Sequence, residues 1–224
     1  MQTDAQPTQT GDEGVDRRSE RERMLAGELY NAADPELGAM RGKAHELCRR
    51  YNALPESAAD EREAIMRELV PQIGQDSEIL GPVFFDYGVF TSFGDRVFAN
   101  FNFTVLDVCP VTIGDDVMIG PNVSLMTPLH PLRFQERNMR RAADGSLFDY
   151  EYGAPITIGS GCWLAAGVTV TGGVTIGEGS VIGAGSVVTH DIPAHSLAFG
   201  TPCKVIRPIT ESDAMDLPHR VPER

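Results

Sequence analysis

From Ile158 onward an aliphatic residue or alanine recurs every six positions: Ile158, Leu164, Val170, Ile176, Ile182, Val188 and Ala194. All seven positions fit, where chance at ordinary apolar usage gives roughly one in a hundred. The residues four positions further on are Cys162, Val168, Val174, Ser180, Ser186, Ile192 and Ala198, all small or aliphatic. A period of six matches neither a helix nor a long strand; it is the hexapeptide signature of a parallel β-helix. Each hexad supplies one short strand and a corner, and three hexads close a triangular coil. Coils stack at about the 4.8 Å strand spacing, with the repeat residue pointing inward. The period also runs upstream through Ile113, Ile119 and Leu125, and through Phe93, Ala99 and Val105 before a slip near Val111. The pattern predicts about five coils.

Two stretches depart from it. Residues 130–155 break the period with His130, Pro131, four arginines (Arg133, Arg137, Arg140, Arg141) and Asp144–Gly145. A long excursion from a regular prism is where function is expected. Residues 19–75 read as helical. Ser19 and Glu22 have capping-box spacing, Asp34–Pro35 is an N-cap followed by an N1 proline, and Ser57 with Asp60 opens a third helix that stops near Pro71. Each helix has one apolar face, so the three must pack on something. The predicted organisation is a disordered tail at 1–18, a helical cap at 19–75, the β-helix at 76–207 with its insertion, and a C-terminal tail at 208–224.

Composition narrows the function. Net charge is −13, from 32 acids against 19 bases, which disfavours a nucleic-acid partner. No apolar run approaches the roughly 20 residues of a membrane span, and the N-terminus lacks a signal-peptide core, so a cytoplasmic protein is expected. The cysteines (Cys48, Cys109, Cys162, Cys203) form no CxxC pair and read as reduced thiols. No metal is expected, since His190 and His195 fall several coils from His130. Lys204 and Arg207 are the only bases between Arg141 and Arg220, a local positive charge in an acidic chain.

The segments MLAGELYNAADPEL, FFDYGVF, ANFN, LDVCPVTIGDDVMIGPNV, TPLHPL and GTPCKVIR resemble the maltose, galactoside and nodulation-factor O-acetyltransferases, and the likeness covers roughly residues 20–208. It implies an all-β, left-handed parallel β-helix with a small α-helical cap, acetyl-CoA as donor, a sugar hydroxyl as acceptor, and a homotrimer with sites between prisms. His130 stands in the motif of the family's catalytic histidine; an imidazole suits proton removal from a hydroxyl. The alternative is a turn histidine. Asn100 matches the asparagine that stabilises the developing oxyanion, or else belongs to an asparagine ladder in a coil corner. Asp107 either serves the acceptor or His130, or closes a turn at the period slip. Asp86, Glu151 and Asp34 match acceptor-contacting positions, although Asp34 is also the helix cap. Ala166, Ala184, Thr189, Gly200, Lys204 and Arg207 match coenzyme A contacts, the bases facing its phosphates. Where galactoside enzymes carry an aspartate after LY, this chain has Asn31 and Ala32, which is nearer the maltose branch. Two alternatives stay open: a non-sugar acceptor such as serine or an antibiotic, and a non-catalytic scaffold.

Overall fold

A computed structural model describes residues 17–216. Most of the tail expected at 1–18, and the end of the C-terminal tail, lie outside these residues. The chain forms a left-handed parallel β-helix of about six turns behind a helical cap. Three sheets make the prism faces. The first runs from Gln72–Ile73 through Thr91–Phe93, Val111–Ile113 and Ile156–Ile158 to Thr175–Ile176. The second runs from Glu78–Ile79 to Ser196–Gly200, where Cys203–Pro208 turns back antiparallel and closes the edge. The third runs from Val83–Phe85 to Val187–Val188.

Register explains the slip. Val83 pairs with Phe103 and Thr104 with Ser124, so the early coils step by 20 residues. Thr157 pairs with Thr175, a step of 18, and Val181 pairs with Leu197, a step of 16. The two extra residues of the early coils fall at the edge between the third and first faces, at 86–90 and 106–110. The insertion leaves the prism at the same edge. The early coils fill their wider interior with Phe85, Phe93 and Phe103, packed edge to face at 6.1 and 6.2 Å.

The shorter last step corrects one repeat position. Ile192, not Ala194, bridges Ile176 and is buried, while Ala194 is exposed. The first six repeat residues point inward as expected, and so do all seven residues four positions on. The prism begins at Gln72, a few residues earlier than predicted, and has one coil more than predicted.

The cap consists of α1 (Glu20–Leu25), α2 (Pro35–Ala53) and α3 (Ala59–Leu69). The Ser19–Glu22 capping box forms, and Asp34 caps α2 by accepting from Glu36 and Leu37 N–H. The third cap differs: Ala58 is the N-cap of α3 and no side chain accepts there, because the helix starts at Ala59, two residues past Ser57. Leu47, Tyr51, Ile65, Met66 and Leu69 join the prism core and plug its first coil. Arg62 is buried there, 4.2 Å above the Tyr51 ring, and donates to the Tyr51 hydroxyl at 2.9 Å. Truncating Ile192 to Ala removes a core side chain and should cost about 2–4 kcal/mol. Ala194→Ser should stay within about 0.5 kcal/mol. Urea unfolding of both variants tests the register, and equal losses would contradict it.

Candidate active site

The extended edge between the third and first faces carries most of the polar chemistry. The insertion starts with the strand Pro128–Leu129, continues through α4 (Phe134–Arg137) and a hairpin of Arg140–Arg141 against Leu147–Phe148, and returns as Tyr150–Gly153. This returning strand lies between Tyr30–Asn31 of the cap and Pro128–Leu129. Alternation then sorts its side chains. Asp149 and Glu151 face a cavity of about 440 Å³; Tyr150 and Tyr152 face a second groove with Leu29 and Pro131.

Asp86, Arg41, His45, Tyr87 and Ala32 also line the first cavity. Two predicted acceptor residues, Asp86 and Glu151, are thus brought together from positions 65 apart. Tyr30 hydroxyl donates to Glu151 at 2.9 Å. Asp86 Oδ1 lies 3.6 Å from His45 Nε2, and burial raises the Asp86 carboxyl above its ordinary value, partly offset by His45 and Arg41. Arg41 donates to the Tyr87 hydroxyl at 2.8 Å and to the Ala32 carbonyl at 2.9 Å. Arg41 and His45 escaped the sequence reading. Their signal was a polar pair at i and i+4 on one flank of α2, beside the apolar stripe.

Asp34 spends its carboxylate on the α2 cap and is not among the cavity's lining residues. Asp107 is fully buried and accepts from Tyr87 N–H at 2.8 Å and Thr91 hydroxyl at 2.9 Å. Its oxygens are thus engaged by the corner of the preceding coil, 16 and 20 residues upstream.

His130 directly follows Leu129, the last residue paired on this strand, opposite Tyr152, and is not among the lining residues of the Asp86–Glu151 cavity. The imidazole is exposed in the single chain. Asn100 lies on a different edge, between the second and third faces. There Asn102 donates to Asn122 at 3.0 Å, both at positive φ, so the asparagine ladder exists two positions beyond the residue considered for it. Asn100 Oδ1 accepts from Phe101 N–H, and its Nδ2 donors have no acceptor among the described residues. Ala166, Ala184 and Gly200 follow along this same edge, with Gly185 N–H bonded to the Ala166 carbonyl at 2.9 Å. Ala166 and Ala184 are exposed, and Gly200 adopts φ +112. Thr189 sits instead on the His130 edge, its hydroxyl 2.9 Å from His190 Nδ1.

On the returning strand, Lys204 is exposed and opposite Phe199. Arg207 is not a free cation. Asp213 takes both ends of its guanidinium at 2.8 and 2.6 Å, and that pairing lowers the Asp213 carboxyl to about 2. Among the described residues no cluster of His, Cys, Asp and Glu suits a metal ion, and no helix is long and apolar enough to cross a membrane.

The fold and these edges define a hexapeptide-repeat acetyltransferase, and comparison with known proteins agrees. The family description "Maltose acetyltransferase hexapeptide capping motif" matches residues 23–74, and "Bacterial transferase hexapeptide (six repeats)" matches 155–190. The chain is 38% identical over 192 residues to the galactoside O-acetyltransferase of Escherichia coli K12, covering 86% of this chain and 90% of that one. It superposes on a maltose O-acetyltransferase from Clostridium difficile 630 with a TM-score of 0.80 at 41% identity, covering 87% and 99% of the two chains. A galactoside acetyltransferase in complex with coenzyme A gives 0.80 at 38% identity, covering 88% and 94%. The chain belongs to the maltose/galactoside/nodulation-factor O-acetyltransferase family of hexapeptide-repeat enzymes. It is an acetyl-CoA-dependent O-acetyltransferase, which sets aside the scaffold reading.

Burial raises the Asp107 carboxyl to about 6, against the hydrogen bonds from Tyr87 and Gly88 N–H and Thr91 hydroxyl that favour the anion. The folded state therefore binds this proton more tightly than the unfolded chain, whose aspartate titrates near ~3.9. The associated stability is complete below that lower value and is lost as pH rises through about 6, a difference of roughly 3 kcal/mol. Relative to Asp107→Asn, the native chain should gain stability as pH falls from 7 toward 4 in urea unfolding series. A difference independent of pH would refute the assignment.

Proposed function

We propose that the enzyme transfers the acetyl group of acetyl-CoA to a hydroxyl of a maltose- or glucose-like sugar. The observation that supports it most is the cavity in which Asp86 and Glu151 meet, with Glu151 on the strand that pairs with Pro128–Leu129 just before His130. A carboxylate accepts several hydroxyl donors at once, the recognition chemistry a sugar ring calls for. His130 removes the hydroxyl proton as the oxygen attacks the thioester carbonyl. The carbon–oxygen bond forms, the carbon–sulfur bond breaks, and His130 returns the proton to the departing thiolate. Asn100 Nδ2 and backbone N–H groups stabilise the developing oxyanion. No covalent acetyl-enzyme is required.

Asn100, Ala166, Ala184 and Gly200 share one edge of the prism, and His130, Asp86 and Glu151 another. A single chain does not unite them; a homotrimer does so by setting one protomer's edge against the next. Coenzyme A lies along the small-residue edge, where the exposed Ala166 and Ala184 methyls leave backbone accessible. Lys204 meets its phosphates, and Arg207 keeps its Nε edge for them while Asp213 holds the other.

His130→Ala should lower kcat at least about a hundredfold while sedimentation shows an unchanged assembly. Near-normal turnover would reject the base. Co-refolding His130→Ala with Asn100→Ala should restore part of the activity that neither variant has alone, because some interfaces then carry both native residues. No restoration in verified mixed trimers would place the two residues in one chain's site.

A further inference from the structure

The corner at 86–91 brings Asp86 and Tyr87 to the acceptor cavity, and what holds it is a buried charge rather than a turn of its own. Its backbone is unusual: Gly88 sits at φ +71, and a Cβ there would lie 2.4 Å from the Leu69 carbonyl. One coil on, Asp107 reaches back beneath it. One oxygen accepts from Tyr87 N–H, the other from Thr91 hydroxyl, and Gly88 N–H adds a third donor. Tyr87 in turn anchors Arg41 through its hydroxyl.

The next coil supplies a comparison within the same chain. Leu106 pairs with Met126, so Thr127 occupies the position equivalent to Asp107. Thr127 is also fully buried and also staples the corner below it, accepting from Cys109 N–H at 3.0 Å and donating to the Leu106 carbonyl at 2.7 Å. A neutral hydroxyl therefore suffices to close such a corner. At the corner beside the cavity the chain instead buries a carboxylate, an acceptor-only group that three converging donors can share.

We propose that Asp107 is a positioning residue for acceptor recognition: through Tyr87, Gly88 and Thr91 it fixes the 86–91 corner so that Asp86 and the Tyr87–Arg41 pair face the bound acceptor. It acts without touching the acceptor. This rests on the acceptor-cavity reading above and adds a determinant on the far side of the corner.

Steady-state kinetics at a temperature where all variants are folded test it. Asp107→Asn keeps the shape but sets an NH₂ among N–H donors. The acceptor KM should rise about tenfold, with kcat within about twofold and the acetyl-CoA KM unchanged. Thr91→Val should raise the acceptor KM several-fold, and Thr91→Ser, which retains the hydroxyl, should match the native enzyme. An unchanged acceptor KM in Asp107→Asn, or a parallel loss in kcat and both KM values, overturns the proposal. Native enzyme that acetylates sugars but shows no effect of these variants overturns this inference alone. Native enzyme that transfers acetyl to no sugar overturns the acceptor reading with it.

Discussion

Every coil depends on its neighbours for backbone hydrogen bonds. Asp86 N–H reaches the Val105 carbonyl, Thr104 N–H that of Val123, Ser124 N–H that of Val168, and Thr169 N–H that of Ser186. None of these short strands could satisfy its polar groups alone. The ladder also dictates what lies between: residues stacked at one register must all point inward or all outward. That is why Val105, Leu125, Val170 and Val188 form one continuous buried column, and why a single charged substitution there would be felt along the axis.

The same constraint decides where function can sit. A regular coil exposes rows of small side chains and offers no concavity. Departures are tolerated at corners, between the paired strands of the three faces. Here they collect at one edge: two extra residues in each early coil, then the whole insertion from Pro128 to residue 155. The insertion returns as a strand that pairs with the cap, so helices, corners and loop are tied into one wall around the Asp86–Glu151 cavity. The opposite economy holds at the Asn100 edge. Regular corners with exposed alanines keep the backbone reachable for a long, flat ligand.

Much of this was legible in the sequence because the hexad period is a direct image of the ladder. The capping box at Ser19 and the Asp34–Pro35 start were equally local signals. What escaped were quantities that no local pattern encodes. The last coil is two residues short, which moves the inward position from Ala194 to Ile192; both are apolar, so only pairing distinguishes them. Ser57 has the right spacing for a cap, but the chain enters α3 from Ala58. Asp107 and Asp86 are both aspartates next to a strand end, and nothing in the sequence says that one is enclosed and the other faces a cavity. Arg41 and His45 become site residues only because α2 lies across the first two coils.

The buried carboxylate shows how the two demands meet. Asp107 ionises at a cost that Thr127, one coil away, avoids. A chain selected only for coil stability would use the hydroxyl in both places, since it closes the corner with one donor and one acceptor in balance. The carboxylate instead gathers the donors of Tyr87, Gly88 and Thr91 onto one group. A sugar offers only small differences between hydroxyl positions, and a cavity wall that drifts by a fraction of a hydrogen-bond length blurs them. On the proposed acceptor reading, the unfavourable burial of Asp107 is stability given up for a fixed wall at the corner beside the Asp86–Glu151 cavity.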